Sequence, residues 1–191
     1  MHKVRAAVAD RFYLGELALG RRLTLMLTFN ALLIASAYIQ IPLPFSPVPI
    51  TAQTMAVLAC GLFLGPVAGS LTVLAYLVEG ALGLPVFAGG TAGLVKFFGP
   101  TGGYLAGFVL AAFVVGHLSE RLVSMTYTRL LIVLTCGSAL IFAAGLTGLA
   151  VFAPQGNLLE VGLFPFLPGA LVKIVVVASA LSAYKKVRQS I

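Results

Sequence analysis

Charge is what this sequence has least of. Lysine and arginine number 12 and aspartate and glutamate 5 among 191 residues, together 9% of the chain, against about 25% in a soluble domain. With 60% hydrophobic residues and a mean hydropathy of +1.09, it has too little polar surface to cover a water-soluble fold. Tryptophan is absent, and cysteine and histidine occur twice each. Cys60 and Cys136 lie in apolar runs without CxxC or Cys/His spacing, which argues against a zinc site or a redox pair. The sequence has no GxxxxGK[ST] loop, no HExxH, and no Ser/His/Asp set on one side of a membrane; "GGTAG" follows no strand. No basic run interleaved with aromatics points to nucleic acid. These absences leave a polytopic membrane protein, without cofactor or metal, that binds or moves something.

Long apolar runs are what the chain does have. Its length allows about six spans of roughly 20 residues. Proline and glycine cut the runs into spans over 23–39, 52–64, 67–84, 102–118, 130–152 and 167–184. Only Gly65 and Pro66 separate the second and third, which predicts a tight antiparallel hairpin. The second is short for a span, so either it tilts or its entry loop dips into the membrane. The expectation is an all-α integral membrane protein: a basic segment over 1–22, a six-helix membrane domain over 23–185 and a tail over 186–191. The polar lead is long and no small-residue cleavage site follows the first apolar run, so it reads as a retained cytoplasmic segment rather than a signal peptide. Ten of the 12 basic residues fall before span one, between spans four and five, or after span six. Cytoplasmic loops carry the excess of lysine and arginine, so both termini are expected in the cytoplasm of a cell-membrane (inner-membrane) protein surrounded by lipid.

The outer connections are long, apolar and rich in proline and glycine. "IPLPFSPVPIT" (41–51) cannot be helical and should lie extended on the protein. "GLPVFAGGTAGLVKFFGPTGGY" (83–104) holds seven glycines in 22 residues and a single charge, Lys96. Irregular backbone near membrane depth survives only packed on protein or lining a cavity, so these loops should fold over the bundle, with a binding site beneath them. Glycines at 61, 65 and 69 and at 99, 103 and 107 read as close helix packing or as turns. Ala31 and Ala35 form a small-residue pair in span one, either an ordinary feature of an alanine-rich helix or a flat docking patch. Lys173, about one turn into span six, is a functional candidate by default because an ionisable residue in a span is costly; it either faces a ligand or snorkels to the interface. Glu79, late in span three, would pair with Lys173, line the cavity or sit at the interface, and Tyr76 shares its face. Lys96 and Glu160 read as solvated.

Four motifs, "PFSPVPITAQT", "GALGLPVFAGGTAGL", "GPTGGYLAGF" and "FPFLPGALVKI", resemble the biotin-specific substrate-binding (S) component of energy-coupling factor transporters, the BioY family, over residues 24 to 185. The resemblance implies a six-helix protein that captures biotin from outside and joins a transmembrane coupling subunit and two cytoplasmic ATPases. It implies that Ala31 and Ala35 contact the coupling subunit. Biotin, a fused ureido-thiophane ring with a valerate tail, needs an apolar slot with a few placed polar groups. Phe87, Ala88, Gly89 and Gly90, with Thr101, Gly102, Gly103 and Tyr104, would then form one wall and the lid. Phe87 and Tyr104 would stack on the ring, Thr51 and Gln53 would add hydrogen bonds, and Tyr76, Glu79 and Lys173 would complete the set.

One position departs from the pattern. The family's last motif reads Pro-Gly-Asp-x-x-Lys, and here Ala170 stands at the aspartate. Glu79 substitutes, backbone carbonyls receive the ureido protons, or affinity or ligand choice has changed. Two other functions compete with the S component: a self-sufficient, proton-coupled carrier, for which Glu79 is the only acidic candidate in a span, and a membrane enzyme, for which no catalytic set exists.

Overall fold

The structure, a computed structural model, describes residues 19–122, 126–153 and 157–189, the last six of these by backbone alone. The expected basic N-terminal segment lies outside the described residues up to position 18. Its end does not: helix α1 runs Leu19–Tyr38 and already contains Arg21 and Arg22. At the other terminus the last helix continues to Gln189, through most of the expected tail.

Proline sets the first break. After α1 come strands β1 (Gln40–Leu43) and β2 (Ser46–Thr51), paired antiparallel with Gln40 opposite Thr51 and Leu43 opposite Ser46. The expectation of an all-α chain is thus corrected by one β-hairpin. Pro42 falls where the register shifts between Ile41 and Leu43, and an isolated two-stranded ribbon has free edges where a missing N–H does no harm. Ser46 donates from Oγ to the carbonyl of Val161 at 2.6 Å and accepts from the Val48 N–H at 3.2 Å, which ties the ribbon to the last outer loop.

Helix α2 spans Gln53–Ala81 but is folded back on itself at Gly65, whose φ of 80° and ψ of −179° lie outside the helical region. That region of backbone space is essentially restricted to glycine, and Pro66 can then start the second limb without an N–H. Gln53 and Tyr76 would be about 35 Å apart in one straight helix, yet their side chains are hydrogen-bonded at 2.6 Å. The tight hairpin expected at Gly65-Pro66 is therefore present. Gly69 backs onto the Cys60 carbonyl, and Gly61 lies against Ala112 of helix α3, Gly102–Arg121. Gly103 and Gly107 of α3 abut Ala144, Ile141 and Gly148 of helix α4, Tyr127–Leu149. Gly61, Gly69, Gly103 and Gly107 thus serve close packing, and Gly65 and Gly99 are turns. A short helix α5 (Leu158–Gly162) and a 3₁₀ turn (Phe164–Phe166) lead into α6, Leu167–Gln189.

Among the described residues, four helical stretches are long and apolar enough to cross a membrane: Gln53–Ala81, Gly102–Arg121, Tyr127–Leu149 and Leu158–Ala183. Their outward faces stay apolar, with Val67, Leu110, Ile132 and Val172 exposed, as lipid requires. Two cores fill the interior. One, around Leu58, Leu134 and Val177, joins the first limb of α2 to α4 and α6. The other, around Tyr76, Phe87, Tyr104 and Phe166, underlies the irregular loops and surrounds a cavity.

Candidate functional site

The segment over 83–104 closes one end of the bundle. Phe87 donates its N–H to the Thr91 carbonyl at 3.0 Å and accepts from the Gly90 N–H at 2.9 Å, a loop tight enough to need Gly89 and Gly90 at φ of 69° and 70°. The Phe87 ring lies over Gly80, where a side chain would collide with it, and the Gly93 N–H donates to the Gly80 carbonyl at 2.7 Å. Phe87 meets Tyr76 and Phe97 edge-on, with centroids 5.6 and 5.8 Å apart. Two short 3₁₀ turns, Ala88–Gly90 and Leu94–Phe98, complete the cover.

Beneath it is a cavity of about 150 Å³. Its apolar walls come from Pro47 and Val48 of β2, Phe87, Phe108 of α3, Phe142 of α4 and Phe166. Of the residues expected from sequence, Thr51, Gln53, Phe87, Ala88, Thr101, Tyr104 and Lys173 line it. Lys173 donates from Nζ to the Thr51 carbonyl at 2.6 Å and to Thr54 Oγ1 at 3.1 Å. An ammonium has three protons, so one remains for a ligand. Lys173 therefore faces the cavity instead of snorkelling. Tyr104 donates its hydroxyl to the Gly162 carbonyl at 2.7 Å, which fixes the ring as part of the wall.

The others stand behind the wall. Tyr76 is fully buried; its hydroxyl accepts from Gln53 Nε2 at 2.6 Å and donates to the Val86 carbonyl at 3.0 Å, so it positions the cavity's amide. Gly89 backs onto the Gln40 side chain, Gly90 onto Tyr38, Gly102 onto Phe97 and Gly103 onto α4. They shape the loop and seat α3 and are not part of the lining. Glu79 does not meet Lys173. Its Oε1 accepts from Asn30 Nδ2 of α1 at 3.2 Å, and Oε2 is buried without a partner among the described residues. It cannot stand in for the missing aspartate in the cavity wall. Lys96, expected in solvent, is half-buried and lines the cavity, whereas Glu160 is exposed.

Sequence reasoning missed Ser138, Thr54, Thr91 and most of the aromatic wall as site residues. Phe166 was within reach, because it stands in the quoted motif before Lys173. Ser138 gave no signal inside "TCGSAL". Ala170 also lines the cavity, and among the described residues no aspartate or glutamate does. Two lysines and no carboxylate, set in an aromatic and aliphatic wall, suit a small apolar molecule carrying one acidic group.

Fold and site together define a multi-pass membrane protein that closes loops over a small-molecule pocket. The chain belongs to the BioY family, whose pattern matches residues 8–190. It is 41% identical over 167 residues to the biotin transporter BioY of Rhizobium etli, covering 83% of this chain and 89% of that one. To the biotin transporter BioY of Thermotoga maritima it is 40% identical over 159 residues, 83% of this chain and 92% of the other. A crystal structure of the S-component for biotin from an ECF-type ABC transporter superposes with a TM-score of 0.80 at 31% identity, over 87% of this chain and 91% of that one.

Proposed function

We propose that this protein captures biotin in the cavity beneath its outer loops and takes it up across the membrane as the substrate-binding subunit of an energy-coupling factor transporter. The observation that carries this reading is the cavity itself, with its aromatic wall, two lysines and no carboxylate. Biotin supplies an apolar bicycle for the wall and one carboxylate for a lysine. The names of the relatives and of the similar solved structure support the same ligand. Thr51, Gln53, Phe87, Ala88, Thr101, Tyr104 and Lys173 would touch it.

The partners would be a transmembrane coupling subunit and two cytoplasmic ATPases. Counting the limbs of α2 separately, α1, α3, α4 and α6 make up six membrane-crossing rods, which returns the chain to its starting side. The hairpin turn, with Glu120 beside Gly65 and Gly116 against Pro66, marks the end of the bundle opposite the cavity. Leu25 and Met26 of α1 pack there on Leu64 and Ala68, so Arg21, Arg22 and Arg121 gather at that end. It is the cytoplasmic end by the positive-inside rule. Ala31 and Ala35 are exposed one turn apart on α1 and would receive the coupling subunit. Ala35→Arg should leave biotin binding intact and abolish ATP-driven uptake.

Binding of radiolabelled biotin to purified protein in detergent, with desthiobiotin and thiamine as competitors, tests the ligand. Displacement by desthiobiotin alone is expected, and absence of binding would overturn the reading. Uptake into vesicles without ATPases, driven by a pH gradient, would instead favour the self-sufficient carrier.

A further inference from the structure

Of the seven polar residues buried as a whole among the described residues, six are hydrogen-bonded through their side chains. Asn30 bonds Glu79 and Gln53 bonds Tyr76. Ser36, Thr72 and Ser119 each donate to a carbonyl one turn back in their own helices, and Ser46 donates to Val161. Ser138 of α4 is as buried as these, at 8% exposure, and its hydroxyl has no partner among the described residues. Bonding back to the preceding turn is the ordinary resort of a mid-helix serine. Ser138 lines the cavity, so its hydrogen-bonding capacity is available there.

Among the described residues, the side-chain acceptors of the cavity are all uncharged. Lys96 and the third proton of Lys173 are donors. Thr51 Oγ1 already accepts from the Gln53 N–H at 3.4 Å, and Thr54 Oγ1 from Lys173. Thr91 and Tyr104 donate to carbonyls of their own surroundings and Gln53 donates to Tyr76, so these groups keep lone pairs but are each held in place by a bond they already make. Ala170, on the neighbouring α6, contributes only a methyl group. A cyclic urea brings two N–H donors that need acceptors once out of water.

Resting on the biotin reading above, we infer that Ser138 Oγ accepts a hydrogen bond from a ureido N–H of the ligand, the role that the acidic residue missing at position 170 would otherwise fill. The test uses full-length protein in detergent and two ligands, biotin and a biotin analogue methylated on both ureido nitrogens. Ser138→Ala should weaken biotin by about 10-fold and leave the methylated analogue's affinity as it is in the unsubstituted protein. The thermal midpoint without ligand should not fall, because the hydroxyl has no protein partner to lose. Equal biotin affinity in Ser138→Ala overturns the inference while leaving the biotin reading intact. Equal weakening of both ligands also overturns it, since the hydroxyl would then act through shape or water. If the unsubstituted protein binds no biotin, both readings fall.

Discussion

Lys173 in α6 and Glu79 in the second limb of α2 are both ionisable groups inside apolar helices, and the fold treats them oppositely. Lys173 faces the cavity, held by a carbonyl and a hydroxyl of the segment after the β-hairpin, with one proton unused. Glu79 faces α1, where Asn30 satisfies one oxygen and the other is sealed in. The first arrangement leaves a donor turned to the cavity; the second is a contact between helices. An ionisable residue in a span is thus a prompt to ask what faces it, since burial alone does not distinguish a binding group from a structural one.

The largest effect should come from removing the cation. Lys173→Ala loses a charge-assisted bond to the ligand and releases Thr51 and Thr54 from α6, so biotin affinity should fall by about 100-fold in equilibrium binding. Unchanged affinity would break the comparison, leaving Lys173 as structural as Glu79 and Lys96 as the lysine to replace next.

A smaller effect should come from behind the wall. Tyr76→Phe removes the hydroxyl that bridges Gln53 and the Val86 carbonyl, and leaves two buried groups unsatisfied. Stability should drop by about 1–3 kcal/mol, seen as a lower thermal midpoint without ligand. Biotin affinity should weaken less than in Lys173→Ala, because Gln53 stays in the wall but loses its fixed orientation. Weaker binding without any loss of stability would mean that Tyr76 touches the ligand directly.

Much of this was legible in the sequence where the backbone is constrained. Gly65-Pro66 announced the hairpin because no other pair ends one limb and starts the next so abruptly. The proline alternation over 41–51 announced an extended segment, though not that it pairs with itself, since strand pairing depends on partners that composition does not specify. Lys173 stood out because a charge in an apolar run needs a reason. Direction was harder to read. Glu79 and Lys173 both sit toward the same end of the bundle, and only helix rotation sends one toward α1 and the other into the cavity. The glycines of 83–104 were expected to form a wall and lid of the site, yet Gly89, Gly90, Gly102 and Gly103 back onto side chains and helices and are absent from the lining. Glycine permits close approach without saying to what. Ser138 was invisible because small hydroxyls are common in membrane helices and usually bond their own backbone.

The smallest effect sharpens the comparison most. Glu79→Gln keeps an oxygen for Asn30 Nδ2, removes the carboxylate, and changes nothing in the cavity lining. Biotin affinity should change by less than about 2-fold, below the ~0.5–1.5 kcal/mol that a single ligand hydrogen bond contributes, and the thermal midpoint should hold. Uptake in cells with intact ATPases should persist for the same reason. Loss of uptake with binding preserved would assign Glu79 to movement of the loaded protein, and a pH gradient alone driving transport in the parent but not in Glu79→Gln would turn the reading toward a proton-coupled carrier. Loss of binding itself would mean that α1 and the cavity wall are coupled through Asn30 and Glu79, and the two ionisable residues would then belong to one site after all.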